Sequence, residues 1–279
     1  MRVFITGGAG VCGTVLSELP YEKIFFDKCS RPNLLKKEFY LQGDLNNHSN
    51  LKKHIKGCDT LIHLAASDYY PDFDMGPKFS WSNYQKNNIE SVKALFDTAI
   101  KLGVNKIIFA STHRVMGMYE SEFAPKIYQK NHNIMIDHLA PPRPDSLYAV
   151  SKLFGENLGR LLADENKCSF QVMRICSVRS ESEDHPFAYA EKGVKQKLWS
   201  RKSLKYQQQL DRLRCLWQSR RDFLNMTTML LQKELTGFDI FYGVSNNSRR
   251  WFDIKHAEDK LDYKPMDNSE NIIKPPLIK

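Results

Sequence analysis

A chain of 279 residues is long enough for one large α/β domain, or one domain with a small appendage. With 42% hydrophobic and 26% charged residues, it has neither the composition of a disordered polymer nor that of a membrane bundle, and no apolar run approaches the roughly 20 residues that cross a bilayer. The formal charge of +9 is concentrated, because ten basic residues and only one acidic one, Asp211, lie between Lys192 and Arg221.

The first third alternates short apolar runs with amphipathic stretches. "RVFIT" reads as a strand, Ala9 to Leu19 as a helix and "KIFFD" as a second strand. Residues 47 to 56 predict a helix, "DTLIHLA" a strand, residues 82 to 102 a long helix and "NKIIFAS" a strand. A polar, proline-rich connection ending in "APPRPDS" leads into a helix that opens near Tyr148, and "FQVMRI" is a further strand. Strands and helices at this spacing imply βαβ units, hence an α/β fold with a doubly wound parallel sheet of Rossmann type. Beyond about residue 178 the regularity fades. Residues 180 to 220 are charged and glutamine-rich, 221 to 235 read as an amphipathic helix, and "DIFYGV" is a short strand before polar turns.

The six cysteines show no C-x-x-C pairing, so no metal or redox motif is expected. "MRVFITGG" lacks the apolar core and cleavage site of a signal peptide, which makes a cytoplasmic location the expectation, with no membrane partner. The basic block suits an acidic partner or an anionic small substrate. Nucleic acid is not expected, since no binding motif or regular aromatic interleaving accompanies the block.

"FITGGAGVCG" places Gly7, Gly10 and Gly13 in a G-x-x-G-x-x-G spacing directly after a predicted strand. The first glycine permits a tight turn, the second lets backbone approach a pyrophosphate, and the third lets the next helix pack closely. Asp27 ends the following strand, twenty residues after Gly7. A carboxylate there accepts hydrogen bonds from the adenosine ribose hydroxyls and repels a 2′-phosphate, which selects NAD over NADP, with Lys28 beside it softening the choice. Tyr148 is the only one of the 12 tyrosines with a lysine, Lys152, four residues downstream. On a helix that spacing puts phenol and ammonium on one face, and the cation favours the phenolate needed for acid/base work at neutral pH.

From residue 1 to about 180 the chain resembles the extended short-chain dehydrogenase/reductase superfamily, also called the NAD-dependent epimerase/dehydratase superfamily. The resemblance rests on "TGGAGVCG", Asp27, "GDL" at 43 to 45, "HLAA" at 63 to 66, Asn88, "STHRVMG" at 111 to 117 and "YAVSK" at 148 to 152. It implies an NAD site over Gly7, Gly10, Val11, Cys12, Gly13, Asp27, Lys28, Asp44, Leu45, Ala65, Ala66, Asn88, Tyr148, Lys152 and Ile175. It implies Tyr148 as general acid/base and Lys152 as its helper. A hydroxyl at the end of the preceding strand completes the set, here Thr112 with Ser111 just before it. The domains expected are residues 1–178, an NAD-binding Rossmann domain carrying the Tyr/Lys helix, and 179–279, a small substrate-binding and C-terminal region.

Within the superfamily, "RICSVRSE", "LWQSRRDF" and the stretch from 241 to 272 are similar to uronate dehydrogenases, whose pattern is shared by an archaeal NAD-dependent glucose-6-phosphate dehydrogenase. Residues 181 to 214 read as an insertion in that pattern. This resemblance implies oxidation of the C1 hemiacetal of an anionic sugar to the lactone, with Ser67 or Asp68, Thr112 and His113, which stands where the family has an asparagine, as substrate contacts, and a homo-oligomeric assembly; Arg179, Arg220 and Arg221 are candidates for the anionic group because a guanidinium forks onto carboxylate or phosphate. Two alternatives stand beside it: a nucleotide-sugar epimerase or reductase, and a non-catalytic NAD-binding regulatory protein. Trp217 and Trp251 are open between core and ring-stacking roles.

Overall fold

The computed structural model describes residues 1–67 and 80–276. Seven strands form one parallel sheet: β1 (Arg2–Thr6), β2 (Glu22–Asp27), β3 (Tyr40–Gln42), β4 (Thr60–His63), β5 (Lys106–Thr112), β6 (Ser169–Ile175) and β7 (Phe238–Gly243). Their order is β3-β2-β1-β4-β5-β6-β7, and every neighbouring pair runs parallel. The helices between and after them are α1 (Val11–Val15), α2 (His48–Ile55), α3 (Trp81–Tyr84), α4 (Ser91–Lys101), α5 (Gly117–Phe123), α6 (Leu147–Asp164), α7 (Ala188–Lys195), α8 (Leu204–Leu216), α9 (Arg220–Gln232) and α10 (Lys255–Leu261).

The central strands β1, β4 and β5 are mostly apolar because helices cover both faces of the sheet. Along β1 the period of two is explicit. Val3 and Ile5 join a cluster with Val15 of α1, Phe223, Met226 and Leu230 of α9 and Leu261 of α10, whereas Phe4 faces Leu51 and Ile55 of α2, Leu95 and Phe96 of α4 and Leu162 of α6. Chain order departs leftward from β1 to β2 and β3, then rightward from β4 onward, so the switch point lies between β1 and β4. Ligand crevices of open α/β sheets form outside the carboxyl ends of the strands at such a point.

Several elements differ from the sequence reading. The helix expected from Ala9 to Leu19 is α-helical only over Val11–Val15 and tightens to a 3₁₀ turn at Leu16–Glu18. The helix expected over 82 to 102 is divided by a π-helical stretch, Gln85–Glu90, between α3 and α4. The short β3 and α10 went unread, and the unassigned segment 180 to 220 contains α7 and α8. The boundary expected at residue 178 does not divide two cores: β7 pairs along the length of β6, and α9 shares the cluster of β1 and α1. Trp251 and Trp217 are both buried, and the indole N–H of Trp217 donates to Asp184 Oδ1 at 2.9 Å. Among the described residues no helix is long and apolar enough to cross a membrane, and no disulfide forms.

Candidate active site

At the switch point the carboxyl ends of β1, β4, β5 and β6 open into a cleft of about 920 Å³. Its floor at one end is the glycine turn after β1. Gly7 has φ +74°, and a Cβ there would lie 2.6 Å from the Ala65 nitrogen. A Cβ on Gly13 would lie 2.4 Å from the Gly7 carbonyl oxygen, so the helix can begin there only without a side chain. Asp27, at the end of β2, ties this turn to the one after β2: Oδ2 accepts from the Ala9 N–H and Oδ1 from the Cys29 N–H, both at 3.0 Å. Asp44 accepts from the backbone and side-chain amides of Asn46, which hold its carboxyl below the usual range. Lys28, Val11, Cys12, Leu45, Ala65 and Ala66 complete this end.

Asn88 behaves differently from the other expected cofactor residues. It is absent from the cleft lining, and its amide clamps Ser67, accepting from the Ser67 N–H at 2.7 Å and donating to the Ser67 carbonyl at 3.0 Å. The same amide donates to Ser151 on α6, so it ties the turn after β4 to the helix carrying Tyr148. Ser67 lines the cleft, and its hydroxyl accepts from Asn87. Asp68 lies outside the described residues.

Tyr148 and Lys152 stand one turn apart on α6, the ammonium 6.0 Å from the centre of the phenol ring. Both are buried and line the cleft, and Lys152 donates to the Ala110 carbonyl of β5 at 2.7 Å. The start of α6 is fixed by its Ser146 cap and by the turn after β5. Asp145 fills the space that a Cβ on Gly117 would need, and its carboxylate pairs with Arg114 at 3.1 Å. Thr112 ends β5 in the cleft wall, its hydroxyl oxygen accepting from the Arg114 N–H at 3.3 Å. Ser111 also borders the cleft, but its hydroxyl is turned into the core, donating to Glu156 at 2.5 Å. Strand alternation sends the two neighbouring hydroxyls to opposite faces.

Beyond Tyr148 the lining changes sign. Arg114, Arg179, Lys192 and Arg212 gather there, and among the described residues the acidic ones lining the cleft, Asp27 and Asp44, are at the other end. Arg179, buried, lies over the Tyr189 ring at 4.4 Å and pairs with Glu183 at 3.0 Å. Arg212 of α8 grips Glu120 of α5 through Nε at 2.6 Å and Nη2 at 3.0 Å. Burial opposes ionisation of Glu120, but the Arg212 guanidinium outweighs it and holds the carboxyl down at about 2. His113 lines this wall with Nδ1 3.2 Å from the Ile175 carbonyl oxygen; burial, then the nearby Arg212, push its pKa down to about 3, so the ring is neutral. A carbonyl only accepts, so Nδ1 carries the proton and Nε2 is a bare acceptor.

The charged segment beyond 180 builds this end. Gly193 leaves room for the Trp199 ring against α7, and Glu191 takes both Arg201 and the Tyr206 hydroxyl, which fastens α7 to α8. The Ser177 N–H donates to the Leu216 carbonyl at 2.8 Å, fixing the end of α8 beside β6 and aiming Tyr189, Lys192, Gln209 and Arg212 at the cleft. Sequence reasoning did not single out these four; the signal was the run of cations itself. Arg220 and Arg221 are not among the lining residues. Arg220 caps Asp184 through its N–H, and Arg221 pairs with Asp267 on the surface.

Residues 3–227 match the model of the NAD dependent epimerase/dehydratase family. The chain belongs to that family. It is 30% identical over 227 residues to the NAD-dependent glucose-6-phosphate dehydrogenase of Haloferax volcanii, covering 81% of this chain and 75% of that one. It is 26% identical to the uronate dehydrogenase of Agrobacterium fabrum over 96% of this chain and 86% of the other. The crystal structure of uronate dehydrogenase from Agrobacterium tumefaciens superposes with a TM-score of 0.73 at 25% identity, over 99% of this chain and 90% of that one. The sheet and its helices thus have the fold of uronate dehydrogenase, and NAD is the family's cofactor. The cleft fits that cofactor: the glycine turn leaves open the space that side chains would fill, and Asp27 lines the cleft at the end of β2.

Proposed function

We propose that this chain oxidises the C1 hemiacetal of an anionic sugar, a hexuronate or glucose 6-phosphate, to the lactone. One observation carries the reading: Tyr148, Lys152 and Thr112 line a cleft that has a dinucleotide cradle at one end and, at the other, four cations with no carboxylate among the described lining residues there. The named activities of the relatives point the same way.

Gly7, Gly10 and Gly13 would take the pyrophosphate against backbone, and Asp27 the adenosine ribose, in preference to a 2′-phosphate. Lys152 would hold the nicotinamide ribose and bias Tyr148 toward phenolate. NAD, when bound, supplies the acceptor for the hydride from C1. Tyr148 takes the C1 hydroxyl proton onto its phenolate oxygen, help of a kind worth about 10²–10⁴ in rate. The Thr112 hydroxyl hydrogen-bonds the reacting oxygen, and Ser67 and the neutral His113 meet sugar hydroxyls. Arg179 and Arg212 receive the anionic group with the guanidinium N–H groups that their pairs to Glu183 and Glu120 leave over. The region beyond 178 acts as the substrate part through α7 and α8, although its β7 and α9 belong to the main sheet and core. We place the enzyme in the cytoplasm as a homo-oligomer; Leu147, Val150 and Leu161 leave an exposed apolar stripe on α6 that suits a second copy.

The position of oxidation is tested with sugar labelled with ¹³C at C1. Appearance of a lactone carbonyl signal in step with NADH supports the reading. A substrate altered at C4 or C6, or stabilisation by UDP or dTDP in a thermal-shift assay, points instead to a nucleotide-sugar enzyme.

A further inference from the structure

Behind the cleft wall lies a buried ionic cluster that the reaction itself does not use. Glu156 stands two turns beyond Tyr148 and one beyond Lys152, on the same face of α6. Its Oε1 accepts from the Ser111 hydroxyl of β5 at 2.5 Å and from Arg174 Nε of β6 at 3.0 Å, and its Oε2 accepts from Arg174 Nη2 at 2.7 Å. Arg174 Nη1 donates to the Tyr242 hydroxyl of β7 at 3.1 Å, and that hydroxyl donates to the Asp137 carbonyl at 3.1 Å. Arg174 is 1% exposed and Glu156 2%.

Glycines already set how closely α6 approaches the sheet. A Cβ on Gly155 would lie 2.4 Å from Phe109 Cζ, and one on Gly159 2.1 Å from Phe170 Cε1. Apolar contact of that kind is non-directional and leaves rotation and sliding of the helix weakly determined. A carboxylate gripped by a guanidinium fork and a hydroxyl has a fixed direction and admits one rotation. From Glu156 back to Tyr148 is about 12 Å of helix, so a small rotation there moves the phenol relative to Thr112.

We infer that Glu156 is a positioning residue: with Arg174 and Ser111 it fixes the rotation of α6, and so the place of Tyr148 and Lys152 against Thr112. Ser111 then acts through this tie rather than on substrate. The inference rests on the C1-dehydrogenase reading for its kinetic consequence, while its geometric content is independent of that reading.

The test is the paired variant Glu156→Leu/Arg174→Met, which removes both charges together, a change that often leaves a buried site as stable as before. Beside it stands Ser111→Ala, which cuts the tie to β5 and keeps the ion pair. Three quantities are measured: the melting temperature, kcat and KM, and the titration of Tyr148 by ¹³Cζ-tyrosine NMR, assigned with Tyr148→Phe. The paired variant is expected to fold, to lose about 10–10²-fold in kcat with KM little changed, and to shift the titration of Tyr148 from the parent's, because the phenol leaves its place beside Thr112 while the Lys152 ammonium stays tied to the Ala110 carbonyl of β5. If it does not fold, Ser111→Ala decides, with a smaller fall in kcat and the same direction of titration shift. A folded variant with parental kcat and parental Tyr148 titration overturns the inference. If the parent oxidises no sugar, the proposed function fails, and the NMR titration alone decides the positioning role.

Discussion

The two ends of the cleft are built by different means. The cofactor end comes from the turns after β1, β2, β3 and β4, all within residues 7 to 67, and what it presents is mostly backbone shaped by glycines. The far end collects side chains from the turn after β5, from residues 175 to 179 and from α7 and α8. Its charges are held by partners distant in sequence, such as Glu120 for Arg212. Backbone cradles tolerate one residue type and fail sharply when it changes. A wall of side chains is set by several ion pairs and changes by degrees, so it can alter its ligand without disturbing the sheet.

Substitutions sharpen this contrast. Gly13→Ala has the largest expected effect: its Cβ, 2.4 Å from the Gly7 oxygen, displaces the cradle and weakens NAD binding by about 10²-fold or more, read by calorimetry. Unchanged affinity would separate the cradle from the cofactor. At the other end, Arg212→Gln removes one charged donor and raises KM for the anionic sugar about 10–100-fold, with NAD affinity kept.

The pair to Arg212 also predicts a pH signature. The folded value of Glu120, about 2, lies below its ordinary 4.5. Its contribution to stability is therefore present above pH 4.5 and is lost as pH falls toward 2. The melting-temperature advantage of the parent over Glu120→Gln narrows across that window; a constant gap would contradict the assignment. Asp27→Asn removes the charge that repels a 2′-phosphate and narrows the preference for NAD over NADP about tenfold, judged from kcat/KM ratios. The smallest effect belongs to Lys106→Met, remote from the cleft. Lys106 donates to the carbonyls of Leu230 and Lys233 at the end of α9, and its loss costs about 1 kcal/mol of stability with kcat unchanged.

The same contrast explains what could be read from the chain. The cradle, Asp27 and the Tyr148/Lys152 spacing are local patterns, and their elements follow from period and glycine placement. The resemblance puts Thr112 at the family position and keeps Ser111 beside it as a second hydroxyl; strand alternation and the buried Glu156 show that only the Thr112 hydroxyl faces the cleft. Asn88 reads as a cofactor residue from resemblance, yet its amide is spent on Ser67 and Ser151. The helices α7 and α8 escape a pattern search because their buried faces are interrupted by charged and amide groups, Glu191 being buried with Tyr206 and Arg201 as partners. Which arginines reach the cleft is set by such pairings, and Arg220 and Arg212 cannot be told apart by spacing.

The measurement that bears most directly on the central claim is NADH formation from NAD by the purified protein, with galacturonate, glucuronate, glucose 6-phosphate and glucose in parallel, beside Tyr148→Phe. The account predicts turnover with an anionic sugar in preference to glucose, and a loss of about 10²–10⁴ in rate in the variant with NAD binding retained. Tight NAD binding without turnover of any anionic sugar, or undiminished turnover by Tyr148→Phe, would contradict it.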